Sequence, residues 1–99
     1  MDMMSKLPFD VNALIALCRQ NHVSQIGVFG SVARGEADAH SDIDLVVRFS
    51  KRISLLKMVA LERQLSEALG RKVDLLTEAA ISPYLREGIA RDLQVIYEA

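Results

Sequence analysis

Phe29-Gly30-Ser31-Val32-Ala33-Arg34-Gly35-Glu36-Ala37-Asp38-Ala39-His40-Ser41-Asp42-Ile43-Asp44-Leu45-Val46-Val47 joins two apolar runs through a loop of small and polar residues. Gly30-Ser31 leaves a strand-like run and opens a segment able to turn helical, a geometry that points free backbone N–H groups at an anion. Asp42-Ile43-Asp44 stands at the mouth of the next strand. Residues two apart on a strand face the same side, roughly 6.6 Å from one another, so both carboxylates can lean toward one hard cation. The stretch reads as a phosphate cradle beside a metal site.

Upstream, Val11, Leu14, Ile15, Leu17 and Cys18 follow Pro8 at three-and-four spacing, which predicts a helix with one buried stripe, capped by Asp10 or Asn12 and ended by Asn21-His22. Val23 to Phe29 reads as a strand, with Gly27 permitting close packing against it. His22 is expected at the surface. A short helical turn is expected from Ser31 to Gly35, with Ser31 as its cap, and polar loop from Glu36 to Ser41.

Downstream, Ile43 to Phe49 is the most β-like run and reads as a central strand buried on both faces. Ser54 to Leu69 predicts a helix that turns Leu55, Met58, Val59, Leu61, Leu65 and Leu69 inward and stops at Gly70. Val73-Asp74-Leu75-Leu76 predicts a short strand carrying one acid. Ser82-Pro83 caps a helix through Tyr84, Leu85, Ile89 and Ala90, and Leu93 to Tyr97 predicts an edge strand. The order α, β, short α, β, α, β, α, β implies an α+β fold with α/β-like order: a small mixed sheet of about four strands with helices packed against it.

At 99 residues the chain fits a single domain, residues 1–99. The formal net charge of −1, with acids and bases interspersed, argues against a nucleic-acid backbone as the main ligand. Cys18 is the only cysteine, so a cysteine-based zinc site or internal disulfide is excluded, and its place in the apolar first helix marks it as core. No run approaches the length of a membrane span, and the first residues lack a signal-peptide pattern; a cytoplasmic protein is expected. The apolar fraction, 51%, leaves surface for another protein or reflects buried strands.

Asp42, Asp44 and Asp74 are the acids on or at the mouth of predicted strands. If their strands pair, three carboxylates converge, and such a cluster favours magnesium, which takes one or two carboxylates plus substrate phosphates. With a nucleoside triphosphate present, Gly30 and Ser31 would hold the phosphates, Arg34 would add charge or brace the loop by pairing with Glu36 or Asp38, and Asp74 would accept the proton of an attacking hydroxyl. Singly, each signal is commoner as plain turn or strand-end chemistry. In order they form a specific pattern.

The run Gly30-Ser31-Val32-Ala33-Arg34-Gly35, followed by Ser41-Asp42-Ile43-Asp44-Leu45, resembles the signature of the polymerase-β-type nucleotidyltransferases, in particular their minimal branch, the MNT or MntA-like proteins. The resemblance covers almost the whole chain and implies the polymerase-β-like nucleotidyltransferase fold. It implies magnesium bound by Asp42 and Asp44 with Asp74 as third carboxylate, and a nucleotide site of Gly30, Ser31, Arg34 and Ser41. It further implies ATP as donor and, as partner, a HEPN-domain toxin whose tyrosine receives AMP, the chain being the antitoxin of the pair. The residues themselves support the reaction type and leave the acceptor, the nucleotide preference and homo-oligomerisation open. Two other readings stand beside it: an antitoxin that neutralises its partner by binding alone, with a vestigial nucleotide site, and nucleotidyl transfer to a small molecule.

Overall fold

The computed structural model describes residues 9–36 and 41–99. The expectations for the segment through Pro8 and for loop residues 37–40, Asp38 included, lie outside the described residues. Helix α1 (Val11–Gln20) is started by Asp10, whose Oδ1 accepts from the Ala13 N–H at 3.2 Å, and is closed by Asn21, whose Nδ2 donates to the Leu17 carbonyl at 2.7 Å. Strand β1 (Val23–Phe29) leads into a single helical turn, α2 (Gly30–Ala33), and then strand β2 (Ile43–Phe49). Helix α3 (Leu55–Leu69) runs from the Ser54 cap to Gly70, which ends it in the left-handed conformation. Strand β3 (Val73–Thr77), a 3₁₀ turn at Glu78–Ala80, helix α4 (Pro83–Asp92) and strand β4 (Gln94–Glu98) complete the fold. None of the helices among the described residues is long and apolar enough to cross a membrane.

The sheet has the order β3-β2-β1-β4. β1 pairs antiparallel with both β2 and β4, and β2 pairs parallel with β3, so the sheet is mixed. A register shift between Val23 and Gln25 in β1 lets Val23 and Ile26, three residues apart, both enter the core. One face of the sheet carries Ile26, Val28, Ile43, Leu45, Val47, Val73 and Leu75, packed with Leu14 and Cys18 of α1 and Leu61, Leu65 and Leu69 of α3. Cys18 is fully buried, and burial pushes its thiol up to about 12, as suits an unreactive core residue.

β3 and β4 are the sheet edges, as foreseen for β4. The outward N–H groups of β3 are taken up by α3: Val73 donates to Ser66 Oγ at 3.1 Å and Leu75 to Glu62 Oε2 at 2.9 Å. These bonds satisfy backbone donors that would otherwise invite another strand, and they anchor the strand that bears Asp74. Gly27 sits where β1 meets the end of α4; a Cβ there would lie 2.7 Å from Leu93 Cδ1 and 3.1 Å from the Gln94 carbonyl, the close packing expected of it.

Two expectations need correction. α2 begins at Gly30 with Phe29 as its cap, because the chain already turns at Gly30; Ser31 lies inside the turn and does not cap it. Leu55 and Val59 are exposed, at 77% and 46%, because the core beneath α3 supports only the later turns of its apolar stripe. The helix expected through Tyr84, Leu85, Ile89 and Ala90 is present as α4, and it buries none of its residues fully.

Leu65→Ala, at a fully buried position, is expected to cost about 2–5 kcal/mol, whereas Leu56→Ala, at a position 83% exposed, should stay within about 0.5 kcal/mol of wild type. Urea denaturation midpoints check both.

Candidate active site

Strand alternation aims the acids. Ile43 and Leu45 are buried in the core, so Asp44 between them projects from the opposite face; Val73 and Leu75 impose the same on Asp74. In the parallel register Asp44 stands directly opposite Asp74, on strands about 4.8 Å apart. Their carboxyl groups are close enough to act on one another. Asp44 titrates above the usual carboxylate range, first because burial disfavours its charged form, then because the charges of Asp74 and Asp42 repel it; Arg34 opposes the rise. Asp42, half-buried just before β2, has Oδ2 4.0 Å from Lys72 Nζ.

The three predicted acids are therefore brought within electrostatic reach of one another, with Asp44 at their centre. Among the described residues no three His, Cys, Asp or Glu side chains form a ready-made metal cage. The donor set is all oxygen, and the repulsion at Asp44 is what a divalent cation relieves. This fits magnesium, which needs only one or two carboxylates when phosphates and water supply the rest.

The turn at Gly30 is in contact with this cluster. Gly30 has φ +74°, and a Cβ on it would lie 2.5 Å from Asp44 Oδ2. Only glycine combines that backbone with that proximity. No side chain caps the α2 start, so the N–H groups of its first turn have no side-chain acceptor there. Ser31 is half-buried in the turn, and Ser41 is half-buried immediately before Asp42. Arg34 braces two directions: Nη1 donates to Asp92 Oδ2 at 2.8 Å and Nε to Glu36 Oε2 at 3.3 Å. Bracing through Glu36 was one of the expected alternatives.

Asp92, at the end of α4, was not singled out in the sequence, and nothing local signals that it meets Arg34 58 residues away. Nor does the sequence show that α4 crosses the same sheet face as the acids. Between α4 and the Gly30 turn lies a cavity of about 350 Å³ lined by Phe29, Gly30, Arg34, Tyr84, Leu85 and Asp92, among others. A second, of about 450 Å³, lies under α4 between Val46, Ile81, Arg86 and Leu93.

Residues 12–96 match the nucleotidyltransferase domain family. The chain belongs to that family. A Methanocaldococcus jannaschii protein assigned as a protein adenylyltransferase is 47% identical over 72 residues, which are 72% of this chain and 74% of that one. The protein adenylyltransferase MntA of Thermococcus cleftensis is 44% identical over 77 residues, covering 76% of this chain and 74% of the relative. Among solved structures, a toxin–antitoxin with AMP-PNP superposes with a TM-score of 0.79 at 26% identity, over 91% of this chain and 74% of that one. The fold is thus the polymerase-β-like one that the signature implied, and the chain is a nucleotidyltransferase.

Gly30→Ala is expected to cost about 1–2 kcal/mol from the left-handed backbone, and more from the displaced Asp44 carboxylate, as read by denaturation midpoint. Asp44→Asn should act in the opposite sense. Because the folded-state value of Asp44 is raised, the native state holds the extra proton, and stability falls as pH climbs from the ordinary carboxylate range through the raised value. Removing the charge should raise the thermal midpoint at neutral pH and flatten its pH dependence across that window; a lower midpoint for the variant would contradict the electrostatic reading.

Proposed function

We propose that this chain is a magnesium-dependent adenylyltransferase that moves AMP from ATP to a tyrosine hydroxyl of a HEPN-type toxin and so silences it as the antitoxin of the pair. The observation that carries the reading is the pairing of Asp44 with Asp74 against the Gly30 turn. The similarity to a protein adenylyltransferase and to a toxin–antitoxin solved with AMP-PNP supports the donor and the kind of partner.

In this reading Asp42 and Asp44 hold magnesium, and the Gly30-Ser31 turn, with Ser41, holds the triphosphate through backbone N–H and hydroxyl donors. Magnesium, when bound, neutralises phosphate charge and orients the α-phosphate for in-line attack. Arg34 supplies positive charge beside the turn while Asp92 and Glu36 fix its guanidinium. Asp74, next to Asp44 but on the neighbouring strand, takes the proton of the acceptor hydroxyl. The protein works in the cytoplasm, where ATP and magnesium are supplied.

A second reading, neutralisation by binding alone, draws on one observation: Leu55, Leu56 and Val59 are exposed apolar side chains at the start of α3, suited to a protein contact. The two readings separate in one experiment. The chain is incubated with labelled ATP, magnesium and the protein encoded beside it, and transfer and toxin activity are both followed. Transfer is expected with wild type, no transfer with Asp42→Asn and Asp44→Asn combined, and a drop of about 10²–10⁴-fold in rate with Asp74→Asn. Equal transfer by the double variant sinks the enzymatic reading, and full protection by a transfer-dead double variant establishes the binding one.

A further inference from the structure

The chain has two tyrosines, and the fold places them in different settings. Tyr97 packs from β4 against the core cluster, whereas Tyr84 is 95% exposed. Tyr84 lies in the first turn of α4, after the Ser82 cap. The side of the helix that bears Tyr84, Leu85 and Asp92 forms one wall of the 350 Å³ cavity, and Phe29, Gly30 and Arg34 form the other. That volume lies within the range of small-ligand sites, roughly 300–1,000 Å³.

This cavity adjoins the acids. Gly30 on one wall is in contact range of Asp44 Oδ2. Ile81, just before α4, and Ile89 within it line the neighbouring cavity together with Val46, which is two residues along β2 from Asp44 and on the same face of the sheet. α4 thus lies on the same side of the sheet as Asp44 and Asp74, against β1 and the Gly30 turn, and Tyr84 stands on the side of α4 turned toward that turn. The phenol is solvent-accessible, belongs to the chemical class of acceptor the proposed reaction uses, and sits on a helix that buries no residue fully.

We infer that Tyr84 is a modification site: it is adenylylated in cis by the chain's own active site. The inference rests on the reading of that site as an ATP-dependent adenylyltransferase. Tyr84 Oη attacks the α-phosphorus of ATP, the bond from the α-phosphorus to the α,β-bridging oxygen breaks, and pyrophosphate leaves with that electron pair. The phenolic proton passes to the Asp74 carboxylate and from there to water, so ATP is the only co-reactant. The product carries an adenosine and an anionic phosphodiester at the cavity wall, where they obstruct the next ATP or acceptor.

The test uses the purified full chain with ATP and magnesium, with and without the protein encoded beside it, followed by intact-mass and peptide mass spectrometry. One adenylyl group per chain is expected, on the peptide containing Tyr84. It is expected to vanish in Tyr84→Phe and in Asp44→Asn and to persist in Tyr97→Phe, with an initial rate per chain independent of protein concentration. An adduct that survives Tyr84→Phe overturns the site. A rate per chain that rises with concentration assigns the transfer to a second copy and overturns the intramolecular step. A modified neighbour beside an unmodified chain overturns this inference and leaves the proposed function standing, whereas the absence of both adducts overturns the function itself and this inference with it.

Discussion

The parallel pairing of β2 with β3 is the constraint on which the rest of this protein depends. It sets Asp44 opposite Asp74, both half-buried, on a sheet face that α1 and α3 do not cover. Burial first, and then repulsion between carboxylates so placed, raises the proton affinity of Asp44. A divalent cation with its phosphate ligands would relieve that repulsion. The repulsion and the proposed chemistry are then two aspects of one geometry.

That register is held from both sides. On the core face, Ile43, Leu45, Val73 and Leu75 lock the two strands onto Leu61, Leu65 and Leu69 of α3. At the open edge, Ser66 and Glu62 bond the outward N–H groups of Val73 and Leu75, so a helix does for β3 what a further strand would do. A one-residue slip of β3 would carry Asp74 into the core and Val73 out of it, a double penalty of buried charge and exposed hydrocarbon. The strands that carry the acids are therefore fixed by packing on one side and by hydrogen bonds at the edge. On the acid face the arrangement is looser: α4 buries no residue fully and is tied at its end by Asp92 to Arg34 and by Leu93 against Gly27.

The strands, the helices and their caps were largely legible because each carries a local signal. Asp10, Ser54 and Ser82 announce helix starts through short side chains that bond the next turn, Gly70 announces a stop, and the apolar runs at Val23 to Phe29 and Ile43 to Phe49 match the observed strands. The local signal misled where it depends on what lies beyond the element. Leu55 and Val59 continue a good helical stripe yet face solvent, since periodicity states which side is apolar and not how far the core extends beneath it. Ser31 has the chemistry of a cap, but the positive φ of Gly30 starts the turn one residue sooner.

By itself the sequence placed the residues of the proposed site along the chain. A turn after a strand at Gly30-Ser31 and acids at the start of the next strand, Asp42 and Asp44, are legible because strand alternation and glycine's backbone freedom are local properties. Tertiary structure alone decided which strand lies beside Asp44, that Asp74 meets it in register, that Asp92 reaches Arg34, and that Tyr84 shares a cavity with Gly30. Those contacts join residues far apart along the chain. They are selected by how the whole set of apolar faces packs at once, and no short window of sequence contains that information.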